Sequence, residues 1–295
     1  MPHKYVRKGK IKEVATFYNQ ASFSFGGTVT NSNTVTGEIV ASLTMTKTAA
    51  SANYGTADGI TYVVSIVNAS DVEYADLTLT DNLGAYTVPG GTTEVVPLTY
   101  VDGSVLYYQN GVLQPAPTVE AGPPLEISGI TVPANGNAII VYEARANEYA
   151  PLSAGSSIYN EASISTCGLT ASAAVGTRDE AILSITKSVC PEVVSCSGEV
   201  TYTILLQNTG NTPVVATDDL IVTDTFNPIL EDLTVTLDGT ELAEGVGYTY
   251  DEATGAFATL PGAITVPAAT YERDSETGTV TTTPGFAVLT ITGNV

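Results

Sequence analysis

The chain has 295 residues, of which 31 are acidic and 10 basic, for a formal net charge of −21 with a single histidine. A polyanion is repelled by DNA and RNA, and the only basic cluster is confined to the first dozen residues, which disfavours nucleic acid as a partner. With no tryptophan and 14% charged residues, against the usual ~25%, the composition suits building material better than an enzyme.

In chain order, the start MPHKYVRKGKIKEV is basic, with no apolar run after it, and no segment approaches the ~18 apolar residues of a membrane span. No ordinary secretion signal is therefore read; the expectation is a mature chain, or one made in a cell that later lyses, as when a mother cell coats a spore. Residues 1–14 are expected as a basic arm, 15–25 as a donor strand and 26–40 as a linker. A first domain follows over 41–172, a linker over 173–180 and a second domain over 181–295. Stretches such as ITYVVSIVN, ADLTLTD, VTYTILLQN and DLIVTD alternate apolar and polar residues, are rich in Val, Ile, Thr and Tyr, and are punctuated by Gly, Pro, Asn and Asp. That pattern predicts an all-β chain of antiparallel sandwiches.

The two domains are copies of one unit. ASLTMTKTAA (41–50) aligns with AILSITKSVC (181–190), Lys47 precedes Tyr62 by 15 residues as Lys187 precedes Tyr202, and ITVPA recurs at 130–134 and 264–268. Domain 1 ends in SSIYNEASIST (156–166), whereas domain 2 is expected to lack that last strand. A similar Tyr-Asn-x-Ala-Ser segment, ATFYNQASFSF (15–25), stands near the N-terminus instead. Asn160 precedes Lys187 by 27 residues and Asn19 precedes Lys47 by 28, so the N-terminal strand is joined to domain 1 much as domain 1's last strand is joined to domain 2. This predicts that it completes domain 2 of a neighbouring copy, offering Phe17, Ala21, Phe23 and Phe25 to an open slot. Reach alone does not exclude closure on its own domain 2, and disorder or truncation is a further alternative.

Beyond the N-terminal arm only two lysines occur, at equivalent positions 47 and 187. Alternation puts Lys47 on the face of Leu43 and Met45, Lys187 with Leu183 and Ile185, Asp81 with Leu77 and Leu79, and Asp224 with Leu220 and Val222. Asn160 shares a face with Ile158 and Ala162, and Asn19 with Phe17 and Ala21. Each core would then hold a Lys, an Asp and an Asn. Burial lowers a lysine pKa and raises that of an acid, which opens two readings. The amine can attack the asparagine carbonyl with the acid relaying protons and ammonia leaving, or the set is a buried ion pair with Asn filling the remaining hydrogen bonds.

The Lys-Thr or Lys-Ser strand, the TYT-like strand ending in Asn, NTGNTP, the VTD strand and the terminal YNxAS strand together resemble the bacterial surface repeat family called domain of unknown function 11. The resemblance covers most of 41–295 and implies immunoglobulin-like sandwiches in tandem. Proteins of this size with such repeats resemble subunits of spore appendages, and the Lys, Asp and Asn set is similar to that of isopeptide-forming domains of Gram-positive pilins and adhesins. For Lys47, Asp81 and Asn160 this implies a bond within domain 1. For Lys187 and Asp224 it implies a bond to Asn19 of another copy.

Cys190 and Cys196 flank a loop and could form a local disulfide in an oxidising setting, leaving Cys167 to link neighbours or stay a thiol. The five basic residues Lys4, Arg7, Lys8, Lys10 and Lys12 would be attracted to the acidic remainder and could steer the donor strand. Phosphate loops, Gly-x-Ser-x-Gly elbows and His-Glu-x-x-His are missing, and acidic turns such as Thr217–Asp219 and Asp251–Glu252 read as solvated rather than calcium-binding. The expectation is a self-polymerising, pilus-like subunit at the cell or spore surface, with no cofactor or metal, no nucleic acid and no membrane span. Its partners are copies of itself and an unknown anchor. The alternative is a monomeric, adhesin-like stalk.

Overall fold

A computed structural model describes residues 14–40, 42–194 and 198–295. The basic arm and Cys196, and with them the steering and local-disulfide expectations, lie outside the described residues. The strands before domain 1 are β1 (Val14–Asn19), β2 (Ser22–Phe25), β3 (Thr28–Asn31) and β4 (Val35–Val40). Domain 1 opens with β5 (Leu43–Ala49), β6 (Asn53–Tyr54), β7 (Gly59–Asn68) and β8 (Tyr74–Asp81). Short strands follow: β9 (Tyr86–Thr87), β10 (Glu94–Val95), β11 (Leu98–Tyr100), β12 (Leu106–Gln109), β13 (Val112–Leu113) and β14 (Thr118–Glu120). The domain closes with β15 (Leu125–Val132), β16 (Asn137–Ala146), β17 (Ser157–Ile164) and β18 (Leu169–Thr177).

One sheet of domain 1 runs β13-β12-β16-β7-β5, with β11 also on β16, and the other runs β14-β15-β8-β17-β18-β6. Strict alternation makes them a sandwich. In β7, Ile60, Tyr62, Val64 and Ile66 are fully buried between half-exposed neighbours, and Ile140 and Tyr142 of β16 face them from the adjacent strand. Each large apolar side chain so buried contributes roughly 1.5 to 3 kcal/mol before ordering costs.

Domain 2 contains β19 (Leu183–Cys190), β20 (Glu199–Asn208), β21 (Thr223–Thr225), β22 (Glu231–Leu237), β23 (Thr240–Glu241) and β24 (Tyr248–Asp251). It continues with β25 (Ala256–Thr259), β26 (Thr270–Arg273), β27 (Val280–Thr283) and β28 (Gly285–Asn294). Its first sheet, β19-β20-β28-β22-β23, repeats that of domain 1, with β19 on β20 as β5 is on β7; its second is reduced to β21-β25-β24. A separate core of Val200, Ile204, Phe226, Phe257, Leu289 and Ile291, among others, fills it. The whole is all-β, two antiparallel sandwiches in series.

Three expectations about boundaries are corrected. Residues 26–40 are not a linker: TVTN and VTGEIV form β3 and β4, which fold back on β2 and β1 after a turn at Gly26-Gly27, both in the left-handed region. The segment 15–25 is accordingly one arm of a two-stranded hairpin, interrupted at Gln20 and Ala21, rather than a lone strand. Residues 173–177 belong to β18, not to a linker, so domain 1 ends in the hairpin β17–β18, and among the described residues domain 2 has a counterpart of neither strand. LTASAAVGT conceals β18 in the sequence, because its small residues have weak strand propensity.

Candidate functional site

Lys47 lies in β5, Asp81 at the end of β8 and Asn160 in β17, and the sandwich brings all three into the core of domain 1, each buried. Lys47 Nζ donates to Asp81 Oδ2 at 2.5 Å. The same carboxylate oxygen accepts from the Tyr142 hydroxyl, and Oδ1 accepts from the Leu83 amide at 2.9 Å. Asn160 Nδ2 donates to the Tyr142 oxygen at 3.2 Å, so Tyr142 bridges the acid and the amide. Lys47 Nζ also stands 4.9 Å from the Tyr62 ring centroid and 5.9 Å from that of Tyr142. The amine is thus walled by two aromatic rings, which limits its options to Asp81 and the groups beside it.

Burial sets the electrostatics. It pulls the Lys47 amine down from its ordinary 10.5 to about 8, against the raising influence of Asp81 and the more distant Glu161. Burial likewise pushes the hydroxyls of Tyr142 and Tyr62 up, so both stay protonated, and that of Tyr142 donates to Asp81. Of the buried oxygens in this site, Asn160 Oδ1 and the Tyr62 hydroxyl have no hydrogen-bond partner. An unsatisfied buried acceptor costs about 1 to 3 kcal/mol, and here it is the carbonyl oxygen of the amide that an amine would attack.

Tyr62 and Tyr142 are members of this site that the lysine, acid and amide pattern does not point to. Their signal was present in the alternation of ITYVVSIVN and AIIVYEARAN, which places each ring on the inward face, but buried tyrosines are ordinarily read as packing.

Domain 2 carries the same pair in a different setting. Lys187 of β19 donates to Asp224 Oδ2 of β21, with the amine 4.4 Å from the Tyr202 ring centroid and 5.2 Å from that of Phe226. Lys187 shares the face of its strand that meets Asp224, but its side chain is 39% exposed, against 0% for Lys47. The cause is the missing cover. Met45 of β5 is 7% exposed and its counterpart Ile185 is 58% exposed, and every residue of β19 is open to solvent. A groove of about 440 Å³ lies alongside, over β21, β24 and β25, with Asp224, Tyr250 and Phe257 in its lining.

Asn19 is not brought to Lys187 and Asp224 within the chain. It sits exposed at the end of β1, on a hairpin whose Phe17 and Phe23 are 51% and 63% exposed. The hairpin therefore does not close on its own domain 2. Among the described residues no cluster of three or more His, Cys, Asp or Glu side chains is placed to hold a metal ion, and no helix is long and apolar enough to cross a membrane.

No protein-family model matches the chain, and no curated protein matches it. The repeat-family resemblance therefore rests on the motifs alone. Among solved structures the chain is similar to BcpA, the major pilin subunit of Bacillus cereus, at 14% identity over 92% of this chain and 73% of that one, with a TM-score of 0.33. It is also similar to the pilus backbone RrgB of Streptococcus pneumoniae at 11% identity, over 82% of this chain and 56% of that one (TM-score 0.30). The C-terminal domain of the antigen I/II polypeptide BspA of Streptococcus agalactiae matches at 13% identity, over 85% and 91% (TM-score 0.29). Similarity of this extent transfers no residue role and no activity to the chain.

Proposed function

We propose that this chain is a structural subunit of a filament at the cell or spore surface, assembled head to tail by donation of its N-terminal strand to domain 2 of a neighbouring copy. The observation that carries this reading is the contrast between two equivalent lysine strands in one molecule: β5 is covered and β19 is bare, while the YNxAS segment of β17, which belongs to the hairpin that closes domain 1, recurs exposed at residues 18–22. An exposed edge with an apolar slot templates strand addition.

Covalent closure follows from the chemistry of the site. Asp81 takes a proton from the Lys47 ammonium, the freed amine adds to Asn160 Cγ, and Asp81 returns protons as the tetrahedral carbon collapses. One C–N bond forms, one breaks, and ammonia leaves. Lys187, Asp224 and Asn19 of the neighbouring copy repeat the scheme between subunits. The chain acts on itself once and turns over no external substrate.

Denaturing electrophoresis tests the reading. The expected result is a ladder of multiples of 30.5 kDa that survives boiling and reductant, with each bond removing about 17 Da as ammonia. Asn19→Ala abolishes the ladder and leaves the mass loss of domain 1 intact. A single band from the unaltered chain, or a ladder indifferent to Asn19→Ala, overturns it.

A further inference from the structure

Domain 1 is closed by two strands and not by one. There β17 pairs with β8, placing Ala162 opposite Asp81 and Ser163 opposite Thr80, while β18 runs antiparallel to β17 and lies against β5, the lysine strand of the other sheet. A single strand in the place of β17 would pair with the acid strand and leave the lysine strand uncovered. It is β19, the lysine strand of domain 2, that is bare along its whole length.

The N-terminal hairpin has the parts for both positions. Asn160 stands opposite Ala173 across β17 and β18, and Asn19 stands opposite Val35 across β1 and β4. Two residues before each asparagine the cross-strand pairs are Ile158 with Val175, both buried in domain 1, and Phe17 with Gly37. The N-terminal pair has less total volume than its domain 1 counterpart, but it is arranged across the two strands: the Phe17 ring lies over Gly37, its far edge where a Cβ would stand, so a side chain there has to displace the ring. A large ring on one strand matched to a missing side chain on the other is what packing of the two strands as a unit requires, and a linker would have no reason to hold it.

Resting on the head-to-tail reading above, we propose that the donated element is the whole hairpin Val14–Val40, closing domain 2 of a neighbouring copy as β17 and β18 close domain 1. β1 and β2 pair along β21 with Ala21 opposite Asp224 and Ser22 opposite Thr223, and β3 and β4 lie across β19. Lys187 is then sealed from solvent, as Lys47 is. The surface recognised is a second copy of this chain, and the interface is two strands wide.

Hydrogen exchange on the full chain before and after assembly tests this. A lone two-stranded hairpin is marginally stable in water and its amides exchange freely, whereas a docked one is protected. The expected result is that amides of 28–40 and 183–190 slow by about tenfold or more together with those of 15–25 and 223–225. Polymer in which 15–25 and 223–225 slow while 28–40 and 183–190 do not overturns the hairpin and leaves strand donation standing; failure to form polymer at all overturns both. A second arm uses the coupled pair. Gly37→Val should slow assembly about tenfold by overpacking, and Phe17→Ile with Gly37→Val, which recreates the pair of domain 1, should restore it. Assembly of Gly37→Val at the unaltered rate overturns the proposal.

Discussion

Lys47 has been drawn out of water into a box of two tyrosine rings, and its protonation is the variable on which the chemistry of domain 1 turns. In the unfolded chain the amine holds its proton to 10.5, and in the folded chain it releases it near 8. Below about pH 8 both states are protonated and the cost of burying the charge is borne in full. Above it the unfolded state binds more protons, so the stability of an uncross-linked chain rises with pH until tyrosine ionisation begins to favour unfolding. Urea denaturation of Asn160→Ala, which has no amide to attack, should show that rise, and adding Lys47→Met should flatten it. In the unaltered chain, refolded from denaturant and followed by intact mass, ammonia loss from domain 1 should change little with pH just below 8, because transfer from Lys47 to Asp81 leaves the proton count of the pair unchanged, and should fall above it as the pair loses the proton that Asp81 has to return. A rate rising about tenfold per pH unit up to 8 would mean that the amine gives its proton to solvent and not to Asp81.

The Tyr142 hydroxyl is the other variable at this scale. It joins Asp81 to Asn160, and its counterpart in domain 2, opposite Tyr202 on the neighbouring strand, is Ile291. Tyr142→Phe leaves the amide nitrogen of Asn160 without its acceptor, which costs about 1 to 3 kcal/mol, and should slow the domain 1 mass loss while leaving the intersubunit ladder unchanged. Equal slowing of both would show that the hydroxyl acts through the fold and not at the reacting amide. Lys47, Asp81 and Asn160 were legible in the sequence because strand alternation assigns each a face; the bridging tyrosine was not, because alternation gives a direction and no contact.

Among elements, the duplicated strand ends are held by a repeated clasp. Asn208, buried at the end of β20, donates to Thr212 O at 2.8 Å and Pro267 O at 3.1 Å and accepts from the amides of Gly210 and Ile182. Asn68 does the same in domain 1 with Val72 O and Pro133 O. The VPA recurrence noted in the sequence is explained by this clasp, since Pro133 and Pro267 supply its carbonyls. Asn208→Ala orphans several backbone groups at once, so domain 2 should lose about 2 to 4 kcal/mol in urea denaturation while domain 1 keeps its midpoint. A loss below ~0.5 kcal/mol, the range of an ordinary surface substitution, would show the clasp to be dispensable. The repeat was legible because these contacts fix offsets along the chain. The strands β18 and β4 were not: β18 is built of small residues, and in β4 Gly37 and Glu38 interrupt the β-branched residues and the apolar alternation that mark a strand.

For the whole molecule, the proposed role in a fibre requires a stiff junction between the sandwiches, and the hairpin β26–β27 of domain 2 reaches back onto domain 1. Arg273 stacks 5.1 Å from the Tyr86 ring centroid and donates to Tyr149 O at 3.2 Å, the Val280 amide donates to Glu148 O at 3.0 Å, and Thr93 Oγ1 donates to Glu276 O at 3.0 Å. From the linker side, Asn211 Nδ2 donates to Leu152 O at 3.1 Å and Arg178 O at 3.0 Å. Backbone partners dominate, so the brace depends little on salt, unlike a junction built of surface ion pairs. Arg273 is its one side chain that combines a stacked cation with a hydrogen bond into the other domain, a combination worth roughly 1 to 2 kcal/mol. Arg273→Ala should therefore leave the urea midpoints of both sandwiches within about 0.5 kcal/mol of the unaltered chain and broaden the distribution of interdomain distances measured by spin labels placed on β13 and β23. Unchanged distances would show that the linker contacts of Asn211 suffice, and a fall in the domain 2 midpoint would show that the hairpin is part of its core rather than a strut between the two domains.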